Sequence, residues 1–414
     1  MTFTFKLARR TARFRCFRSR SFGAWLLAAT MASAACNPDT PVGPEAPLAE
    51  ADAIPAAAVS PIPISPGQSI QAKVNSYPTG TQFLLKAGTH TNQRVVPKSG
   101  NVFIGEPGAI LDGKNATDHA FEKGGSNVRI KGLIIQNYAS PEQQGAIMAM
   151  GTSGWIIENC EVRYNKHAGI KVGQKTRVLN NYVHHNGQVG INGVGDSVLV
   201  EGNEVSYNNY QKKFAFGTVL GGIKLVATRW LVVRGNNVHH NEGNGIWMDI
   251  RTQGAVIEQN TITSNSGAGV LHEISYSAII RNNTVKGNGF ARSWLMGAGI
   301  LVSSSSDAQV YGNTVLDNKN GIVGIQQDRH NQGVDFSSNL KNLNVHDNTV
   351  RVPTGGLSGV SSGVSNLTYT SRNNKFTSNS YDMGSDTKPF TWMNSKRTKS
   401  EWQNYGMDMN GTFY

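Results

Sequence analysis

From Val102 onward, apolar positions recur at steps of about 22 residues, a period that belongs to stacked repeats and not to one helix or one strand. The pattern aligns on the aliphatic residue of segments such as Asn-x-Val-x-x-Asn, at Val162, Val183, Val205, Val238, Ile262, Val285, Val315 and Val350. Five residues before each lies another aliphatic: Ile157, Val178, Val200, Val233, Ile257, Ile280, Val310 and Val345. A third follows a glycine, at Ile170, Ile191, Ile246 and Val270, and after insertions at Ile223 and Ile300. Weaker coils precede, around Ile110 and Ile135. Three short strands per repeat cannot close an apolar face alone. Stacked coil on coil, they form three parallel sheets around a narrow core. A propeller needs four strands and a longer repeat, which excludes it.

Asparagine marks the corners. Asn181, Asn203, Asn236, Asn260, Asn283, Asn313 and Asn348 sit two before the anchor, and Asn165, Asn186, Asn208, Asn241, Asn265, Asn288 and Asn318 sit three after it. Asn tolerates a left-handed bend, and its amide can bond to the same group one coil away. Two asparagine ladders are therefore expected, with Cys160 replacing the first member of one as an inert core residue.

On these residues the chain resembles the right-handed parallel β-helix proteins of the pectate-lyase-like superfamily, over roughly residues 66–352. The segments Ser69–Val74 and Gly80–Leu85 look like that family's cap helix and first strand. The resemblance implies an all-β solenoid of about ten coils at 67–352, with an N-terminal cap. Its members include polysaccharide lyases, glycoside hydrolases, uronate epimerases and non-catalytic surface proteins, so it implies a fold and leaves the activity open. After Val352 the period fades, and 353–414, with Trp392, Trp402 and Tyr405, reads as a C-terminal cap over the open end.

The formal net charge of +12 suggests nucleic acid until its distribution is considered. Seven of the 39 Lys and Arg residues lie in 1–36 without an acid, leaving 32 against 27 Asp and Glu. This basic start precedes the apolar stretch Phe22–Met31 and the small residues Ala32-Ser33-Ala34-Ala35-Cys36. That order reads as an export signal. Its end resembles a bacterial lipoprotein box that would lipidate Cys36, with Ser33 where leucine is usual; cleavage after Ala34 is the alternative. Arg9-Arg10 hints at twin-arginine export. The Pro/Ala-rich stretch 37–66 reads as a flexible tether. A secreted or envelope-anchored monomer follows, with no nucleic-acid partner.

Alternation along the third strand locates candidate chemistry. In Gly245–Arg251, Ile246, Met248 and Ile250 should point inward and Trp247, Asp249 and Arg251 outward. The next coil, Gly269–Ser275, places Leu271, Glu273 and Ser275 outside and His272 in or near the core. Earlier coils expose Lys224 and Lys171, and a later one Ser303. Asp249 and Glu273 thus stack about 4.8 Å apart, with Lys224 and Arg251 nearby. Such a pair suits glycoside hydrolysis. A lyase would instead neutralise a uronate with acids or a bound calcium ion and remove a proton with Lys224, Arg251 or Tyr276. The plainer account is a salt-bridged ladder on a solvated face of a non-catalytic glycan-binding or structural protein.

Two steps of the repeat are long: 33 residues from 205 to 238 and 30 from 285 to 315. The extra residues, Tyr210–Leu220 and Phe290–Met296, should form lips beside an exposed Trp247/Asp249/Glu273 strip. They carry Phe214, Phe216, Arg292 and Trp294. Trp247, Trp294 and Phe214 are candidates for stacking sugars, Lys224 and Arg251 for binding acidic groups, Lys171 for substrate binding, and His272 for a supporting or proton-transfer role. The paired histidines His184-His185 and His239-His240 recur at one repeat position, about 10 Å apart, and read as structural; no metal spacing exists. No Gly-rich strand-to-helix motif for a nucleotide is present. The reading is a polysaccharide-acting protein that needs no cofactor unless a lyase takes calcium.

Overall fold

The computed structural model describes residues 60–329 and 338–414, all within the compact unit Pro44–Tyr414. The segment read as an export signal, with Cys36, lies outside the described residues.

Three sheets run the length of the stack, two of 13 strands and one of 11. The row Val162–Val183–Val205–Val238–Ile262–Val285–Val315–Val350 pairs in register through the second sheet. Ile157 through Val345 do the same in the first. Ile170, Ile191, Ile223, Ile246, Val270, Ile300 and Ile322 form the third. These rows form one continuous buried core. Each fully buried Val or Ile contributes about 1.5–3 kcal/mol relative to exposure, and the rows pair each coil with its neighbours.

The stack is longer than the ten or so coils legible in the repeat. At its start, Phe83 and Phe103 occupy the row continued by Ile130 and Ile157. At its end, Phe376 pairs below Val345 and Tyr381 below Val350. Aromatic residues hide the aliphatic period while filling the same positions. Ile62–Ile64 pairs parallel with Gln82–Leu85, so the end of the stretch read as a tether is the first strand of the first sheet.

Helix Ile70–Ser76 follows that strand and buries Ile70 and Val74; Ser69 caps it by accepting from the Ala72 N–H. At the other end, helix Lys399–Asn404, with a capping box from Thr398 and Glu401, lays Trp402 flat on Phe390 at 4.9 Å.

Both asparagine ladders form. Each Nδ2 donates to the next Oδ1, as from Asn236 to Asn260 and from Asn241 to Asn265, both at 2.9 Å. The left-handed bend falls one residue earlier than the ladder position: on Asn180, Gly235, Gln259 and Asn282 at one corner, and on Tyr164, His185, Tyr207 and His240 at the other. The ladder asparagine is thereby freed to bury its amide. Cys160 opens the first ladder as a free, buried thiol, its pKa pushed up by burial to about 12. Its N–H donates to Asn181 Oδ1.

Candidate active site

The outward face of the third sheet carries the candidate residues. Strand Gly221–Val226 supplies Lys224, strand Ile246–Asp249 supplies Trp247 and Asp249, and strand Val270–Glu273 supplies Glu273. The register places Lys224 beside Trp247 and Trp247 beside Leu271, which carries Asp249 alongside Glu273 on adjacent strands.

The predicted exposure is wrong. Trp247, Lys224, Asp249 and Glu273 are each at most 7% exposed, and Ser303 is fully buried. The lip segments fold over this face. Leu295 and Met296 of the second pack against an apolar patch that includes Trp247, Leu271, Leu301 and Val323. Outward-pointing and solvent-exposed are the same thing only on a bare sheet. What remains is a pit of about 440 Å³ rather than an open strip.

Inside the pit, Lys224 Nζ lies 2.9 Å from Asp249 Oδ2 and 3.2 Å from the centre of the Trp247 ring. The ring face expected to stack a sugar is therefore covered by an ammonium. Asp249 Oδ1 accepts the Ile250 N–H at 2.9 Å. Glu273 is ion-paired with Arg329. Burial pushes the Glu273 carboxyl above the usual glutamate range; Arg329 opposes this and the Asp249 charge adds to it. Arg292 also lines the pit, its guanidinium pKa lowered by burial against the pull of Glu273. Trp247 Nε1 and Arg329 Nε are buried donors with no acceptor among the described residues.

Other candidates sit elsewhere. Arg251 is exposed and does not line the pit. The strand stops at Asp249, and Ile250 and Arg251 take left-handed backbone angles, φ 29° and 64°. This breaks the alternation and turns Ile250, expected inward, toward solvent at the pit's edge. Lys171 donates to the Gln143 carbonyl, two coils away from Lys224. Phe214 packs on His167, while Phe216, two residues on, lines the pit. Trp294 is 56% exposed at the rim of its loop. The His272 side chain is buried in the core with no hydrogen-bond partner among the described residues, its pKa pushed down by burial to about 3. Tyr276 begins a strand of the first sheet and does not line the pit.

Arg329 was missed. Its signal was a third long step, 35 residues from 315 to 350, whose extra residues follow strand Asn320–Gln326. The donor set does not fit a calcium ion, because Lys224 and Arg329 already occupy the two carboxylates. Among the described residues no three His, Cys, Asp or Glu side chains are grouped to hold a metal.

The model of the right handed beta helix region matches residues 99–218 and 145–315, together more than half of the chain. The chain belongs to the right-handed β-helix family. Solved β-helix structures share its fold at low identity. The A-module of the mannuronan C-5 epimerase AlgE6 from Azotobacter vinelandii is 17% identical, with a TM-score of 0.56 over 83% of this chain and 93% of its own. A mannuronic acid-specific polysaccharide family 6 lyase from human gut microbiota is 12% identical, with a TM-score of 0.55 over 85% and 90%. The catalytic unit of an α-1,3-glucanase from Streptomyces thermodiastaticus is 10% identical, with a TM-score of 0.57 over 86% and 69%. At these identities the likenesses show the β-helix fold. No curated protein sequence matches the chain.

Proposed function

We propose that this β-helix protein is an exported enzyme acting on a polysaccharide, with Asp249 and Glu273 as its working carboxylates. The observation that carries the reading is a buried carboxylate pair in differing environments. Glu273 is pushed toward its protonated form, and Asp249 has Lys224 as counter-ion. Environments that set two carboxyl groups apart divide acid from base. Their strands are about 4.8 Å apart, close to the roughly 5–5.5 Å of retaining glycosidases.

In this mechanism Glu273 gives its proton to the glycosidic oxygen as the bond to the sugar carbon breaks. Asp249 takes that carbon as an ester, and water, deprotonated by Glu273, releases it. Lys224 and Arg329 hold the two carboxyl groups in place. The neighbours' substrates accord with a polymer, and the pattern at 1–36 supports export; labelling of Cys36 with a lipid precursor would test the anchor.

The charge balance of the pit favours a second reading on the same polymer class. Lys224, Arg292 and Arg329 outnumber the two carboxylates, which suits a uronate sugar whose carboxylate is neutralised while its C5 proton is removed. The test sets wild type, Glu273→Gln and Asp249→Asn against neutral and uronic-acid polysaccharides. Hydrolysis predicts new reducing ends without unsaturated product, with kcat reduced by about 10²–10⁴-fold in either variant. Unsaturated product would assign a lyase. Changed uronate composition without cleavage would assign an epimerase. No change in any polymer, with glycan binding equal in all three proteins, would overturn the enzymatic reading and leave a binding protein.

A further inference from the structure

The pit is closed along the solenoid axis. The outward row of the third sheet that contains Lys224 and Trp247 runs from Met148 through Lys171 and Asn192 to Leu271, Leu301 and Val323. On the N-terminal side, the backbone carbonyl of Gln143 accepts from both Lys171 Nζ and Asn192 Nδ2, so its loop sits across that row. On the C-terminal side, Leu301 and Val323 are fully buried beneath the Trp294–Gly297 turn. A polymer therefore has no continuous bed along this row.

The lips also meet over the pit. The Arg292 guanidinium lies 4.3 Å from the centre of the Phe216 ring, so the two lips meet across the pit. The second lip is tied down behind, since Lys319 Nζ donates to the Arg292 carbonyl and Asn320 Nδ2 to the Trp294 carbonyl. The next outward row is open at its N-terminal end, where Val194 is 43% exposed, and the bend at Ile250 is 37% exposed. On this side the edge of the pit is exposed at Ile250. No opposite exit is present among the described residues.

We propose that the contact between Phe216 and Arg292 makes this site act on chain ends, admitting a terminal sugar unit and excluding the interior of the polymer. The inference rests on the enzymatic reading above. Phe216 and Arg292 are specificity-determining residues in it. An interior unit would have to leave the pit in two directions, and the Gln143 loop, the Trp294–Gly297 turn and the joined lips leave it one.

The first experiment follows polymer mass by light scattering against bonds cut, on a polysaccharide the wild type turns over, for wild type and Phe216→Ala. The wild type should release small products from the first turnovers while polymer mass falls slowly. Phe216→Ala should cut internally, with mass collapsing after few cuts. Early mass collapse with the wild type would overturn the chain-end reading and leave the enzymatic one standing.

A second experiment needs no substrate. Acetylation of Lys224, read by peptide mass spectrometry, should be at least about tenfold faster in Phe216→Ala than in wild type, with exposed Lys213 as the internal reference. Equal Lys224 rates would show that the lips do not close the pit, and would overturn the proposal even in a protein with no turnover.

Discussion

At the scale of the residue, Glu273 is decided by its neighbours. Burial raises its pKa, Arg329 pulls it down, and Asp249 pushes it up. An acid catalyst works while protonated, so kcat/KM should fall as pH rises through that pKa, at a limb above the ordinary glutamate value. Removing the opposing cation in Arg329→Gln should move that limb to higher pH. A pH profile of kcat/KM checks the sign, and a shift to lower pH would contradict the assignment of Glu273 as the acid. Neither Arg329 nor the burial could be read from a local window. Alternation placed Asp249 and Glu273 on one face, and that much was legible. Whether the face was wet depended on residues 19 to 80 positions away.

At the scale of the element, the asparagine ladders convert a corner into a hydrogen-bonded column. Asn260 donates from Nδ2 to the Val233 carbonyl and to Asn283 Oδ1, and its own Oδ1 accepts from Asn236 N–H and Nδ2. Asn260→Ala should cost about 2 kcal/mol or more, because it leaves the buried Asn236 N–H without its acceptor and removes the side-chain donor to the Val233 carbonyl. The exposed neighbour substitution Asn237→Ala should stay within about 0.5 kcal/mol. Urea unfolding of the two variants gives the comparison; equal midpoints would mean that the ladder does not stabilise the coil. The ladder positions were legible because the amide is needed at one point of every repeat. The left-handed residue was assigned one place too late, since several residue types can take that angle and the sequence does not single one out.

At the scale of the whole molecule, a solenoid has two ends that its repeats cannot close. Here the first ladder runs out on Asp408, whose carboxylate accepts from Asn379 N–H and Nδ2, the Tyr381 hydroxyl and Trp402 Nε1. Trp402 also covers Phe376 and Phe390. A chain ending at Arg397 loses both and exposes the last coil's aromatics and strand edges. It should self-associate at concentrations where the full chain does not, as size-exclusion with light scattering would show. Unchanged mass and melting temperature would mean that the terminal helix is dispensable.

What the sequence determined by itself is the solenoid. A short-period requirement, three aliphatic contacts and two amides per coil, is imposed again at every turn, so each repeat is evidence for the others. What only the tertiary structure decided is the pit. Its floor comes from three successive coils, its roof from two insertions and the cation paired with Glu273, Arg329, from a third. None of these is repeated, and insertions have no period by which to read where they fold. Periodic packing is written many times along the chain, whereas the contact between Phe216 and Arg292 is made once, by residues that meet only after the coils between them have stacked.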